Sequence, residues 1–298
     1  MKQKALILGG KTGLVGQALA KVLRDSGWDV TAPGREELDV TLDGGASDAA
    51  ERLEALMAAL IDASEPSCVF NTIAYTKVDA AEDEPVAAAL LNQTLPAMLG
   101  RIMKTRPCML VHFSTDFVFD GKKKTPYTPQ DRTAPLCVYG TTKLAGEEAL
   151  LSLGLPRCLI IRTAWLFGPG RRNFVSAILQ ACMEKRAINV VHDQVGSPTY
   201  TPDLAQYTLK LVEAGANGIS HIVNGGQASW CELAGEAVTL AQVECLVNPI
   251  PSSEYPQKAL RPAYSVLDCD DLTRMTGIMP RPWPQALREY IFATFHQE

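Results

Sequence analysis

Tyr139 and Lys143 stand four residues apart in YGTTK, so on a helix both side chains project from one face. An ammonium beside a phenol favours the phenolate and lowers the tyrosine pKa. A tyrosine placed so can give a proton to a developing alkoxide and be reprotonated afterwards. The lysine can also reach the ribose hydroxyls of a nicotinamide cofactor. Upstream, FSTDFVFDG puts Ser114, Thr115 and Asp116 at the end of the apolar run CMLVH. Such residues end strands and start turns, but an open parallel sheet also keeps its chemistry just past the carboxyl ends of its strands. YGTTK opens the helix after this strand, which brings both groups to one rim. Thr115 is then expected to hydrogen-bond the substrate oxygen beside Tyr139, and Asp116 to orient a neighbour or bind substrate.

GKTGLVG supplies the second element of chemistry: Gly10, Lys11, Thr12, Gly13, Leu14, Val15 and Gly16 follow an apolar run and open a helical pattern. Glycines at this spacing allow a tight turn, close backbone approach to a pyrophosphate and close helix–strand packing. The helix N-terminus adds free N–H groups and a positive dipole end. A GxxxxGK[ST] ATPase loop is excluded, because its first glycine would fall on Ala5 inside the strand. The second strand, in WDVTAPGREELDV, ends in Gly34 and Arg35 with no acid directly at its end. Arg35 suits a 2′-phosphate, so NADPH is expected over NADH, and Asp39 and Val40 are placed to flank the adenine. Arg35 as a plain surface residue is the competing reading.

These groups require strands and helices in alternation. KALILGG, WDVTAPG, CVFNTIA, CMLVHFS and RCLIIRTAW read as strands. GLVGQALAKVLRDSG, the stretch from Ala49, DEPVAAALLNQTLPAMLGRIMKT and YGTTKLAGEEALLSLG read as the helices between them. Short connections between alternating elements imply an α/β, Rossmann-type, doubly wound parallel sheet. After Trp165 the pattern loosens into a helix (NFVSAILQACMEK), a short strand (AINVVHD), a polar turn and Pro-rich stretches. The expected division is residues 1–165 as the dinucleotide-binding domain and 166–298 as a smaller region covering substrate, with some segments returning to the first.

The chain has 298 residues, 47% hydrophobic and 20% charged, with a net charge of −5 and no basic block beyond Lys122–Lys124. That balance speaks against nucleic acid or an anionic membrane surface as partner. Eight scattered cysteines form no CxxC pair, which fits a reducing, cytoplasmic compartment and no zinc site. No apolar run reaches membrane-spanning length. His112 lies within a strand and reads as a satisfied core group.

Several blocks in order carry a resemblance over nearly the whole chain: GKTGLVG, NTIAYTKVDAAEDEP, STDFVFDG, PLCVYGTTKLAGE, RTAWLFGPGRRNFV, DQVGSPTYTPDLA and RPAYSVL. Together they resemble the dTDP-4-dehydrorhamnose reductase family of extended short-chain dehydrogenases/reductases. The resemblance implies reduction of the C4 ketone of a dTDP-4-dehydro-6-deoxy-L-hexose to dTDP-L-rhamnose by NADPH or NADH. It implies Thr115, Tyr139 and Lys143 as the catalytic trio. It also implies Ala74, Tyr75 and Thr76 bordering cofactor and sugar, Trp165 and Asn173 approaching substrate, and Arg261 near the nucleotide-sugar. Read from the residues alone, Trp165 is equally a core aromatic, Arg261 a surface salt bridge and DQVGSPTY a surface loop. A homodimer is possible. Ala18 stands where some members carry an acid that helps hold a metal, so no metal is expected. Phe117 and Tyr264 replace the family's usual Tyr and Asn, which leaves the sugar open. The alternatives are a non-catalytic nucleotide-binding regulatory subunit of the methionine adenosyltransferase type, and a sibling nucleotide-sugar reductase or epimerase.

Overall fold

The computed structural model describes residues 2–40 and 49–295. Strands β1 (Lys4–Leu8), β2 (Asp29–Thr31), β3 (Cys68–Asn71), β4 (Met109–Thr115) and β5 (Cys158–Thr163) join Gly218–His221 in one parallel sheet. Its order is Gly218–His221, β5, β4, β3, β1, β2. The chain leaves β1 for β2 on one side and returns to β3 on the other, so the strand order reverses between β1 and β3. A crevice opens above such a reversal, at the carboxyl ends of the strands.

Both sheet faces are covered, which explains the unbroken apolar runs of β1, β3 and β5. Side chains alternate between faces. Ala5, Ile7, Phe70 and Val111 pack with Leu19 and Leu23 of helix α1 (Leu14–Asp25). Leu6, Leu8, Val69 and Leu110 pack on the other face with Met57 and Ile61 of α2 (Ala49–Ser64). Gly27, at φ +84°, turns the chain out of α1.

The predicted single helix over 83–105 is broken. Past a short α3 (Val78–Ala81), α4 (Pro85–Ala89) gives way to a turn of π-helix (Leu90–Thr94) before α5 (Leu95–Met103). Pro96 has no N–H for the carbonyl of Asn92, and that removes one rung of the regular ladder. The carbonyl lies instead against α6 (Val138–Ser152), where a Cβ on Gly146 would come within 2.1 Å of it.

Beyond β5, α7 (Phe174–Glu184), α9 (Trp230–Leu240) and α11 (Trp283–Phe295) share an apolar core of their own, built on Val175, Leu179, Leu233, Leu287 and Ile291. Between them, α8 (Thr201–Glu213) and Gly218–His221 return to the central sheet, and α10 (Asp270–Thr276) packs on α8. Residues 194–200 are no surface loop. Val195–Gly196 pairs with Ala228–Ser229, Thr199–Tyr200 pairs with Leu166–Phe167, and most of the stretch is buried. Two predicted strands are shorter than read: the second ends at Thr31, and β5 stops at Thr163, leaving Trp165 at φ +46°. No helix among the described residues is long and apolar enough to cross a membrane.

Candidate active site

The rim of β4 is built by close approach. Asp116–Val118 form a short 3₁₀ turn, capped by the Thr115 hydroxyl accepting from the N–H of Phe117 at 3.2 Å. The first turn of α6 sits on this turn. A Cβ on Gly140 would lie 2.3 Å from the Phe117 carbonyl oxygen, so only glycine lets the two meet. Tyr139, the residue before it, then packs edge-on against Phe117 at 5.5 Å. The Thr115 hydroxyl donates to Asp116 Oδ1 at 3.1 Å and lies near enough to the phenol to favour its ionised form. The sequence-predicted pair Thr115 and Tyr139 is therefore brought together.

The electrostatics of the trio differ from the sequence reading. Burial of the hydroxyl pushes the Tyr139 pKa up, and Asp116 adds to that, although the ring as a whole is only half-buried. Lys143 does not lower it. Its ammonium bonds the Phe113 carbonyl and faces His112 Nε2 at 3.2 Å. Burial brings Lys143 itself down to about 8, against an opposing pull from Glu147. Burial also lifts Asp116 to about 6, despite hydroxyls from Ser265 and Thr115, and its Oδ2 has no hydrogen-bond partner.

Around the glycine turn a cavity of about 470 Å³ is lined by Lys11, Thr12, Gly13, Arg35, Val40 and Ala74, among others. Gly10 and Gly16 lie behind it: a Cβ on either would meet Ile7 or the Gly9 carbonyl at 2.9 Å or less. Leu14 opens α1, and Val15 packs on the sheet core. Lys11 pairs with Glu36, which raises its pKa. Asp39 is exposed beside Val40 and is not among the residues lining the cavity. Arg171, from the loop after the strand Leu166–Phe167, lines the same cavity. No local pattern announces it. Its loop is held by Asn173, which caps α7 through Ser176 N and donates to the Gly168 and Arg171 carbonyls at 2.9 and 3.1 Å.

The remaining predicted residues divide. Asn92, missed in the sequence, is fully buried on the π turn. Its side chain accepts from Tyr75 N at 2.9 Å and donates to the Tyr75 carbonyl and to Thr142 of α6. It thus ties the loop after β3 to the helix carrying Tyr139. The Tyr75 hydroxyl itself turns to Glu84 at 2.8 Å, and Thr76 is exposed. Trp165 stacks flat on Trp230 at 3.5 Å, in room left by Gly196. Trp230, Phe174, Tyr255, Gln194 and Arg261 line a second cavity of about 240 Å³. Arg261 grips Asp79 there through two bonds of 3.0 and 2.7 Å. An aromatic wall, amide groups and a guanidinium suit a flat heterocycle joined to phosphate. Among the described residues no cluster of His, Cys, Asp or Glu could hold a metal ion, and all eight cysteines are free thiols.

Residues 3–295 match the family described as the RmlD substrate binding domain. The chain is 41% identical, over 95% of its length and 93% of the other's, to a probable dTDP-4,6-dihydroxy-2-methyloxan-3-one 4-ketoreductase from Streptomyces antibioticus. It is 36% identical, over 95% and 97%, to the dTDP-4-dehydrorhamnose reductase of Aggregatibacter actinomycetemcomitans. Among solved structures, the dTDP-4-dehydrorhamnose reductase of Bacillus anthracis in complex with NADP is 30% identical. It superposes with a TM-score of 0.90, covering 99% of this chain and all of that one, 100%.

Proposed function

The chain belongs to the RmlD family of dTDP-4-dehydrorhamnose reductases, and from that membership we propose that it is an NAD(P)H-dependent oxidoreductase reducing the C4 ketone of a dTDP-4-dehydro-6-deoxy-hexose. The observation that carries this reading is the meeting of Thr115 with Tyr139 over Gly140 at the carboxyl rim of the sheet. The cavity over the glycine turn fits a dinucleotide. It offers bare backbone at a helix N-terminus and three cationic side chains: Lys11, Arg35 and Arg171. When bound, the nicotinamide cofactor supplies hydride to the carbonyl carbon.

The residues of the chain do the rest. Thr115 and Tyr139 hold the carbonyl oxygen between two hydroxyls. With its pKa raised by burial, Tyr139 keeps its proton at neutral pH and so has one to give as negative charge develops on that oxygen. Lys143, one turn along α6, is anchored on the β4 backbone by the Phe113 carbonyl and is brought down to about 8 by burial. The cavity of Trp230, Phe174 and Arg261 is the place for the nucleotide end of the substrate. The non-catalytic alternative is not favoured, because relatives matched over nearly the whole chain are named reductases.

Incubation with NADPH and a panel of dTDP-4-keto-6-deoxy sugars, followed at the reduced-nicotinamide absorbance, tests the reading. Consumption with at least one sugar is expected, and none with any would overturn it. R35A is expected to weaken NADPH binding by about tenfold and NADH binding little, the loss of one exposed charge-assisted contact. Equal effects in fluorescence titrations with the two cofactors would take Arg35 out of the 2′-phosphate site.

A further inference from the structure

Lys143 meets two groups of β4 inside the protein. Its Nζ donates to the Phe113 carbonyl, and His112 Nε2 lies 3.2 Å from the same nitrogen. The other ring nitrogen of His112, Nδ1, lies 3.0 Å from the amide nitrogen of Asn71. Asn71, His112 and Lys143 are all at most 1% exposed. The Asn71 amide cannot be turned round, because its Oδ1 accepts the backbone N–H of Ile73 at 3.2 Å. Reversed, two N–H donors would face each other. Asn71 therefore donates to Nδ1. A neutral imidazole has one N–H and one lone pair, so the His112 proton must sit on Nε2, aimed at Lys143. Burial and the adjacent lysine keep the ring neutral, well below its ordinary pKa.

We propose that Asn71 locks this tautomer and that His112 is a positioning residue, whose Nε2–H meets the Lys143 ammonium donor to donor, accepts its neutral amine as partner, and so sets the pH at which the lysine gives up its proton. The inference rests on the reading of this rim as a ketoreductase centre. An ammonium has three donors and no acceptor, so it meets the imidazole N–H donor to donor. When the ammonium loses a proton to base as the pH rises, the N–H electron pair stays on Nζ as a lone pair. The His112 N–H then has an acceptor, and its own proton does not move.

The other charges around Lys143 are accounted for. Glu147, one turn along α6, favours the ammonium, but its buried carboxylate is gripped by Arg162 of β5 at 3.0 and 2.6 Å. Asp116, at the end of β4, acts on Tyr139. Burial outweighs Glu147 and brings the lysine down to about 8.

The chain has four histidines, so ¹⁵N-histidine labelling gives a readable NMR spectrum, with His112 assigned by its loss in H112Q. The expected resonances are a protonated Nε2 and a bare Nδ1, unchanged from about pH 6 to about pH 9, across the range where a free histidine titrates. N71D should move the proton to Nδ1, where the new carboxylate accepts it, leaving Nε2 to accept from the ammonium. The kcat limb belonging to Lys143 should then rise by about one pH unit. H112Q, which can present an amide oxygen to Nζ, should shift that limb the same way. A wild-type proton on Nδ1, a ring that titrates near neutrality, or a limb unmoved in both variants would overturn the proposal. The spectrum is read on the resting protein, so a chain that reduced no sugar would defeat the ketoreductase reading without touching the tautomer.

Discussion

At the scale of single residues, the site depends on groups whose ionisation is set by burial more than by partners. Tyr139 is held as a phenol, so its value lies in the proton it can give. Y139F should keep NADPH affinity and lose about 10²- to 10⁴-fold in turnover, the range of a general-acid contribution. Stopped-flow binding and steady-state assays separate the two, and a loss confined to KM would assign the hydroxyl to binding alone. Asp116 makes the opposite kind of statement. Its folded-state pKa, about 6, lies above the ordinary carboxyl value, so the folded protein binds this proton more tightly than the unfolded chain. Its protonated form is therefore favourable below the ordinary value, and stability falls as pH rises from about 4 to about 6. D116N keeps an oxygen for the Thr115 hydroxyl and removes the charge. It should be more stable than wild type at pH 8 by up to about 2–3 kcal/mol, read as a higher Tm, and indistinguishable near pH 4. A variant destabilised at both pH values would mean the carboxylate is satisfied in the fold.

At the scale of elements, the catalytic rim exists because two backbones touch. G140A would put a methyl group 2.3 Å from the Phe117 carbonyl oxygen and push α6 away from the turn after β4. Turnover should fall about 10- to 100-fold, as displacements of an ångström do to aligned groups, with a stability loss of about 1–3 kcal/mol. Thermal melts beside kinetics would show whether activity suffers first; an unchanged kcat would dissociate Thr115–Tyr139 spacing from the chemistry. How much of this was legible in the sequence follows from range. The glycine turn, the strand–helix alternation and the YGTTK–STD juxtaposition are local patterns or consequences of parallel topology, and all could be read. The π turn was not, because the apolar periodicity of 83–105 runs through it and its cause is Pro96 opposite Gly146 in a distant helix. Asn92 was missed for the same reason: its partners are 17 and 50 residues away. The expected effect of Lys143 on Tyr139 failed because helical spacing places two side chains on a face without saying which neighbours each will choose.

At the scale of the whole molecule, the segment leading into RPAYS is clasped to the short helix α3. Asp79 accepts two bonds from Arg261 and the N–H groups of Lys258 and Ala259 at 3.0 Å. The contact joins residues 182 apart in sequence and holds Arg261 in the wall of the cavity formed by Trp230 and Phe174. The two open readings of Arg261, salt bridge and substrate contact, thus coincide in space: the same guanidinium does the first while standing where the second is needed. Arg261 holds the Asp79 carboxyl down at about 2. A carboxyl with a lowered folded-state pKa contributes stability above its ordinary value and loses it only as pH falls toward 2, so the clasp stays intact over any ordinary assay range. Removing it by D79A leaves Arg261 without its fork partner and frees the segment at 258–261. The KM for the dTDP-sugar should rise about 5- to 30-fold, equivalent to about 1–2 kcal/mol for a lost charged contact, while the NADPH KM stays as it was. Initial rates with each substrate varied in turn decide it. If both constants rise together, the clasp serves the fold as a whole, and the cavity it borders is not a nucleotide site.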